Sequence, residues 1–279
     1  MTSEIEPAAL AAAPLGHPTD HPDTYAPQRL YALPRAPQRA ALGLRDALPF
    51  TGVDVWTAYE LSWLDMRGKP RACIATFEIP AESPRIVESK SMKLYLGSFA
   101  QTRFETPDAV AGALARDLAA AVGLQVGVSL EEAGRLRACT LAPLAGRSLD
   151  ELDVDCTAYD VDATLLAAGK GHVAETVVTD LFRSVCPVTA QPDIASLQID
   201  YEGPPIDRAA LLRYLVSYRC HAGFHEHCVE RIFVDVKRRC APSRLSVHAR
   251  FLRRGGIDIN PYRTDGAMPM RRAVRTPRQ

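Results

Sequence analysis

Val53-Asp54-Val55-Trp56-Thr57-Ala58-Tyr59-Glu60-Leu61-Ser62-Trp63 shows period-two alternation and is rich in β-branched and aromatic side chains. Successive Cβ atoms of a strand point to opposite faces, so this pattern describes a strand with one face buried. Asp65-Met66-Arg67-Gly68-Lys69-Pro70 reads as a turn, and residues 72–79 as a second strand, which makes a hairpin. Outward from that hairpin, residues 88–101 read as a helix. Thr106 is an N-cap, Pro107 a first helical residue, and an Ala/Leu-rich helix runs to Ala121 before Gly123 stops it. Residues 126–130 and 136–141 are short strand candidates.

The second half repeats this order. Residues 175–185 and 194–201 read as strands. Asp207 caps a helix reaching about Cys220, Gly223 interrupts, and a further helix runs from about His225 to Arg239. Residues 245–252 alternate as a strand, Gly255-Gly256 turns, and residues 257–259 pair back. Strand, strand, helix, helix, strand, strand in each half implies an α+β fold of antiparallel sheets with helices packed on one face. A parallel sheet requires one helix between successive strands, and that order is not present.

The chain has 279 residues, enough for about two domains. The expected division is an irregular Pro/Ala-rich arm over 1–45, a first module over 46–160 and a second over 161–279. Thirty-three basic residues balance thirty-three acidic ones, so no global positive field draws the chain to nucleic acid. Seven cysteines, an odd number without a CxxC pair, argue against a disulfide framework and for a reducing compartment. No apolar run approaches the roughly 20 residues of a membrane helix, and the N-terminus lacks the basic start of a signal peptide. These features lead us to expect a cytoplasmic protein with no direct nucleic-acid or membrane partner.

Two stretches carry chemistry rather than core. Glu88-Ser89-Lys90-Ser91-Met92-Lys93-Leu94-Tyr95 combines an acceptor carboxylate, two cations and two hydroxyls in eight residues. Cys186-Pro187-Val188-Thr189-Ala190-Gln191-Pro192-Asp193 places a thiol at a strand exit, because proline cannot continue a central ladder. A thiolate is the reactive form of such a cysteine, and a carboxyl brought close to it suits proton transfer. Phe224-His225-Glu226 adds a ring for stacking, an imidazole and a second carboxylate. Glu88 and Glu226 lie in opposite halves, and a carboxylate with two acceptor oxygens complements the paired N–H donors of a guanine-like edge. Arg253-Arg254-Gly255-Gly256 supplies a turn with two guanidiniums and an approachable backbone. Cys220, His221, His225, His227 and Cys228 crowd together but meet no standard zinc spacing, so no metal is expected. The C-terminal Arg271, Arg272, Arg275 and Arg278 read as a solvated tail.

Taken together, the three segments in this order resemble the nitrile reductase family that converts 7-cyano-7-deazaguanine to 7-aminomethyl-7-deazaguanine with NADPH, in queuosine biosynthesis. The resemblance covers residues 45–265 and is to the long, two-module form. It implies tandem tunnelling-fold modules, with sites between subunits and assembly as a homodimer or higher homo-oligomer. It also implies Cys186 and Asp193 as catalytic residues, with Cys186 forming a thioimide. Substrate contacts are implied at Val87, Glu88, Ser89, Phe224, His225 and Glu226, and NADPH contacts at Ser89, Lys90, Arg254 and Gly255. No G-x-G-x-x-G follows a strand, so a Rossmann cofactor site is absent. Two other classes stay open from the residues alone: a purine- or pterin-binding protein without redox turnover, and a cysteine hydrolase using Cys186 and His225.

Overall fold

The computed structural model describes residues 20–45, 47–132, 140–266 and 274–279. After a short 3-10 turn over Pro27–Arg29 come β1 (Ala32–Pro34), α1 (Ala36–Ala41), β2 (Thr51–Leu64), β3 (Pro70–Pro80), β4 (Arg85–Val87), α2 (Ser89–Gly97), α3 (Pro107–Val122) and β5 (Gly127–Glu132). The chain continues through β6 (Thr140–Leu141), β7 (Arg147–Ser148), β8 (Val173–Val185), β9 (Pro192–Gly203), α4 (Arg208–Val216), α5 (His225–Cys240), β10 (Arg244–Phe251), β11 (Ile257–Thr264) and β12 (Val274–Arg275).

One eight-stranded sheet, ordered β5-β3-β2-β11-β10-β9-β8-β7, runs through both halves, and only the short β7–β8 pair is parallel. The hairpins β2–β3 and β8–β9 each carry a one-residue bulge in the first strand, at Ala58/Leu61 and at Thr179/Phe182. An extra residue bends and twists a strand, so the shared defect marks the two hairpins as structural counterparts. The halves join where β2 pairs with β11, with Trp56 opposite Ile259 and Ala58 opposite Ile257. In the first half, Trp56, Trp63, Phe77, Leu114 and Leu118 bury β2 and β3 against α2 and α3. In the second half, Phe182, Leu197, Leu211, Phe233 and Val247 do the same between β8–β10 and the helices α4 and α5. The expected α+β architecture of antiparallel strands covered by helices is therefore the observed one.

Several local expectations need correction. Residues 88–101 are not all helix: Glu88 is the N-cap of α2, which ends at Gly97. The strand expected at 136–141 lies mostly outside the described residues, and Thr140–Leu141 pairs with β12. The arm over 1–45 is not irregular where it is described. β1 pairs antiparallel with β4, Leu33 is buried, and Arg35 and Arg39 are 3% and 8% exposed. Buried arginines need carboxylate partners, and they find them in Asp54 and Glu230. Residues 1–19, Arg271 and Arg272 lie outside the described residues. Arg275 is not solvated, since it stacks on Tyr59 at 4.6 Å, whereas Arg278 is exposed as expected and pairs with Asp180 at the surface at 3.2 Å. Among the described residues, no helix is long and apolar enough to cross a membrane.

Candidate active site

Cys186 follows the last residue of β8, and Pro192 opens β9, so the six residues 186–191 form the hairpin loop. The Cys186 N–H donates to the Gln191 carbonyl at 2.8 Å, and the Ala190 N–H donates to the Cys186 carbonyl at 3.0 Å. Closing so tight a loop puts Ala190 at φ 54, in the left-handed region that a side chain disfavours. The thiol residue is left 7% exposed.

The segment before α5 is clamped to the same loop. Val185 donates to the His221 carbonyl at 2.9 Å, and Gly223 donates to the Val185 carbonyl at 3.2 Å. This short parallel pairing brings Phe224, His225 and Glu226 beside the cysteine loop. Phe224 is the N-cap residue of α5, and its ring makes no cap bond. The His225 Nε2 stands 3.9 Å from Asp193 Oδ1, and its ring meets Phe251 edge-on with centroids 3.9 Å apart. Burial pushes the His225 imidazole down to about 4, so it is neutral near pH 7. Asp193 is 3% exposed and forms an ion pair with Arg254 Nη1, while Arg254 Nη2 donates to Gln191 Oε1 at 2.5 Å.

The first half supplies α2. Both Glu88 oxygens cap that helix, accepting from the N–H groups of Lys90 at 2.6 Å and Ser91 at 2.8 Å. Glu88 is fully buried. Burial raises its carboxyl above the ordinary value, opposed by those N–H groups and by Lys93 and Lys90. Val87 is buried opposite Ala32, within the core of the first half. Ser89 and Lys93 reach a cleft at the seam of the halves, which is also lined by His225, Leu252, Arg254 and the start of β11 at Ile257. Gly255 takes φ +59, and a Cβ there would stand 3.0 Å from Lys93 Cε. Glycine takes this left-handed turn without strain and lets it lie close on the lysine stem.

Glu226 faces a different set. It is 4% exposed, beside Asp54, Arg35 and Arg263. Burial and then Asp54 push its carboxyl up to about 7 against the pull of Arg35 and Arg263. One turn further along α5, Glu230 accepts from Arg39 at 2.7 Å and Arg263 at 2.9 Å.

The structure thus brings Ser89, His225 and Arg254 to one cleft with Cys186 and Asp193 alongside. Glu88 and Val87 lie beneath it, and Glu226 lies in the arginine cluster. Lys93 was read from sequence only as one of the two cations in the 88–95 stretch. The wall of Leu252, Ile257 and Ile259 was read as ordinary strand, and the sole signal was its nearness to Arg254. The crowded Cys/His segment divides: Cys228 is in the core, Cys220 is exposed and His225 faces Asp193, while the His221 and His227 rings stay 6.3 Å apart.

Antiparallel strands repeated in two halves, helices behind them, and a thiol beside an ion-paired carboxylate at their seam define a tunnelling-fold enzyme. Residues 21–130 match the family model described as nitrile reductase, 7-cyano-7-deazaguanine-reductase N-term, and residues 192–269 match that of QueF-like protein. Relatives from Burkholderia pseudomallei (strain 1106a) and Burkholderia mallei (strain SAVP1) are each 55% identical over 269 residues, covering 96% of this chain and 98% of the relative. A Burkholderia thailandensis relative is 54% identical over the same length. All three are named NADPH-dependent 7-cyano-7-deazaguanine reductase. The chain belongs to the 7-cyano-7-deazaguanine nitrile reductase family.

Proposed function

We propose that this chain reduces the nitrile of 7-cyano-7-deazaguanine to 7-aminomethyl-7-deazaguanine, a step in queuosine biosynthesis, through a thioimide on Cys186. The observation that carries the reading is Cys186, held in a tight loop beside the Asp193–Arg254 pair and the neutral His225. The Cys186 sulfur forms a bond to the nitrile carbon as one C≡N π bond opens. The thiol proton passes by way of Asp193 to nitrogen. Arg254 holds the Asp193 carboxylate in place for that transfer, and His225, packed edge-on against Phe251, stands near the same Asp193 oxygen.

Lys93 and Arg254 in the cleft wall suit an anionic dinucleotide, and the Gly255 turn packs on the Lys93 stem beside them. Ser89, Lys90, Arg254 and Gly255 are the residues we assign to NADPH, which supplies two hydrides per nitrile when bound. Val87, Glu88 and Ser89 at the β4–α2 junction, with Phe224, His225 and Glu226, are assigned to the base. Each Glu88 oxygen keeps a lone pair beyond the one its cap bond uses. A closed cleft protects the imine formed between the two reductions from water. Among the described residues no strand pairs with the outer edge of β5, and such an edge suits assembly as a homodimer.

Incubating the protein with 7-cyano-7-deazaguanine and no NADPH tests the covalent step. The Cys186 peptide is expected to gain one substrate mass, and Cys186→Ala is expected to abolish NADPH oxidation. An unmodified peptide together with an active Cys186→Ala variant removes the thioimide. No nitrile-dependent NADPH oxidation by the parent protein removes the reductase reading altogether.

A further inference from the structure

Converting a nitrile to an amine takes two hydrides and two protons beyond the one that the thiol lends and recovers. The groups around the cleft differ in their ability to provide those protons. Asp193, ion-paired with Arg254, relays the thiol's own proton and brings no second one of its own. His225 is the neutral imidazole described above and has no acidic proton to give near pH 7. Arg254 is a guanidinium, which does not deprotonate in proteins.

Asp258, also in the cleft wall, is an acceptor held by Tyr59, Asn260 and Gln279. Lys93 is the exception. It lines the cleft beside Ser89, His225 and Arg254, and its ammonium donates no hydrogen bond to any described residue. The Gly255 turn lies against its stem, where a Cβ would stand 3.3 Å from Nζ. The charged groups around it come from both halves: Arg254 and Asp193 with the Cys186 thiol from the second, Glu88 from the first. Burial first, then Arg254, lowers the ammonium below the ordinary lysine value, opposed by Glu88, Cys186 and Asp193. An ammonium held this way is a stronger acid than one in water.

We infer that Lys93 is the catalytic acid that delivers protons to the substrate nitrogen as the thioimide and then the imine are reduced. In each delivery an N–H bond of Lys93 breaks and one forms on the substrate nitrogen while hydride adds at carbon. The resulting neutral amine of Lys93 takes its proton back from solvent through the open side of the cleft. After the first reduction the C–S bond breaks, and the thiol leaves with the proton it first lent. The net change is one nitrile, two hydrides and two protons to one aminomethyl group. The inference rests on the reductase reading above.

Lys93→Arg and Lys93→Met separate proton delivery from charge. Arginine keeps the charge and loses the transferable proton, whereas methionine loses both. General acid catalysis contributes typically 10²–10⁴-fold. Both variants are therefore expected to lose about 100-fold or more in kcat. The Lys93→Arg protein should still form the Cys186 adduct and bind NADPH, read by quenching of protein fluorescence, within about threefold of the parent. Slow imine reduction should also let imine escape to water. Mass spectrometry should then detect the 7-formyl product of its hydrolysis, and NADPH used per nitrile should fall from two towards one. Lys93→Arg with kcat within about threefold of the parent would overturn the inference. So would a variant defect confined to NADPH affinity, with two NADPH still consumed per nitrile. A parent protein that forms no adduct and oxidises no NADPH defeats the underlying reading instead, which is a different result.

Discussion

Glu226 occupies a site where an ordinary carboxylate would be out of place. It has left water and stands near Asp54, with Arg35 and Arg263 close enough to offset part of the cost. Its carboxyl titrates at about 7 when folded, against an ordinary 4.5. A raised acid is protonated in both states below the lower value, so its contribution is intact there and is lost as pH climbs from about 4.5 to about 7. Glu226→Gln cannot ionise. The melting temperature of that variant relative to the parent should therefore rise between about pH 5 and about pH 8, as a scanning-fluorimetry series would show. A flat difference would mean that Glu226 titrates normally. The triplet Phe224-His225-Glu226 was legible as a functional segment because no core requires it. That its members divide between two environments was not, since His225 and Glu226 point about 100° apart around α5 and only the packed neighbours decide what each meets.

Among the elements, the segment carrying β1 and α1 departs most from its sequence appearance. Its prolines and alanines look like a tail, yet Arg35 and Arg39 from this segment reach Asp54 on β2 and Glu230 on α5. Burial alone would raise the Glu230 carboxyl. Arg263, Arg39 and Arg35 overcome it and hold the group down to about 2. Arg39 contributes a two-pronged contact, Nε to Oε2 at 3.0 Å and Nη2 to Oε1 at 2.7 Å. Removing one partner of a buried pair costs about 3–5 kcal/mol, because the other charge stays buried. Arg39→Ala should therefore lose about that much in urea unfolding, and a loss under about 1 kcal/mol would show that the segment is not an anchor. The spacing of Arg35 and Arg39, one helical turn apart, was the available signal. The carboxylates that answer them lie up to 195 residues away in sequence, and no local pattern reveals such a partner.

Across the whole molecule, the repeated order of elements was readable from alternation, caps and turn residues, because each of those is local. The union of the halves through β2 and β11 was not, since strand pairing across about 200 residues leaves no periodic trace. That union makes one sheet of two halves, so we expect them to unfold together. Trp56 and Trp63 report on the first core, and alkylation of the fully buried Cys228 reports on the second. The two probes should give the same urea midpoint. Two separated midpoints would show that each half holds its own fold when the other is lost.

The β2–β11 ladder also bears on synthesis. A ribosome adding about 5–20 residues per second releases β2 roughly 10–40 s before β11 exists to cover its flank. During that interval the N-terminal half is a sheet with an open seam. Neighbouring nascent chains offer an identical edge, so crowded polysomes are where this protein is most exposed to mispairing.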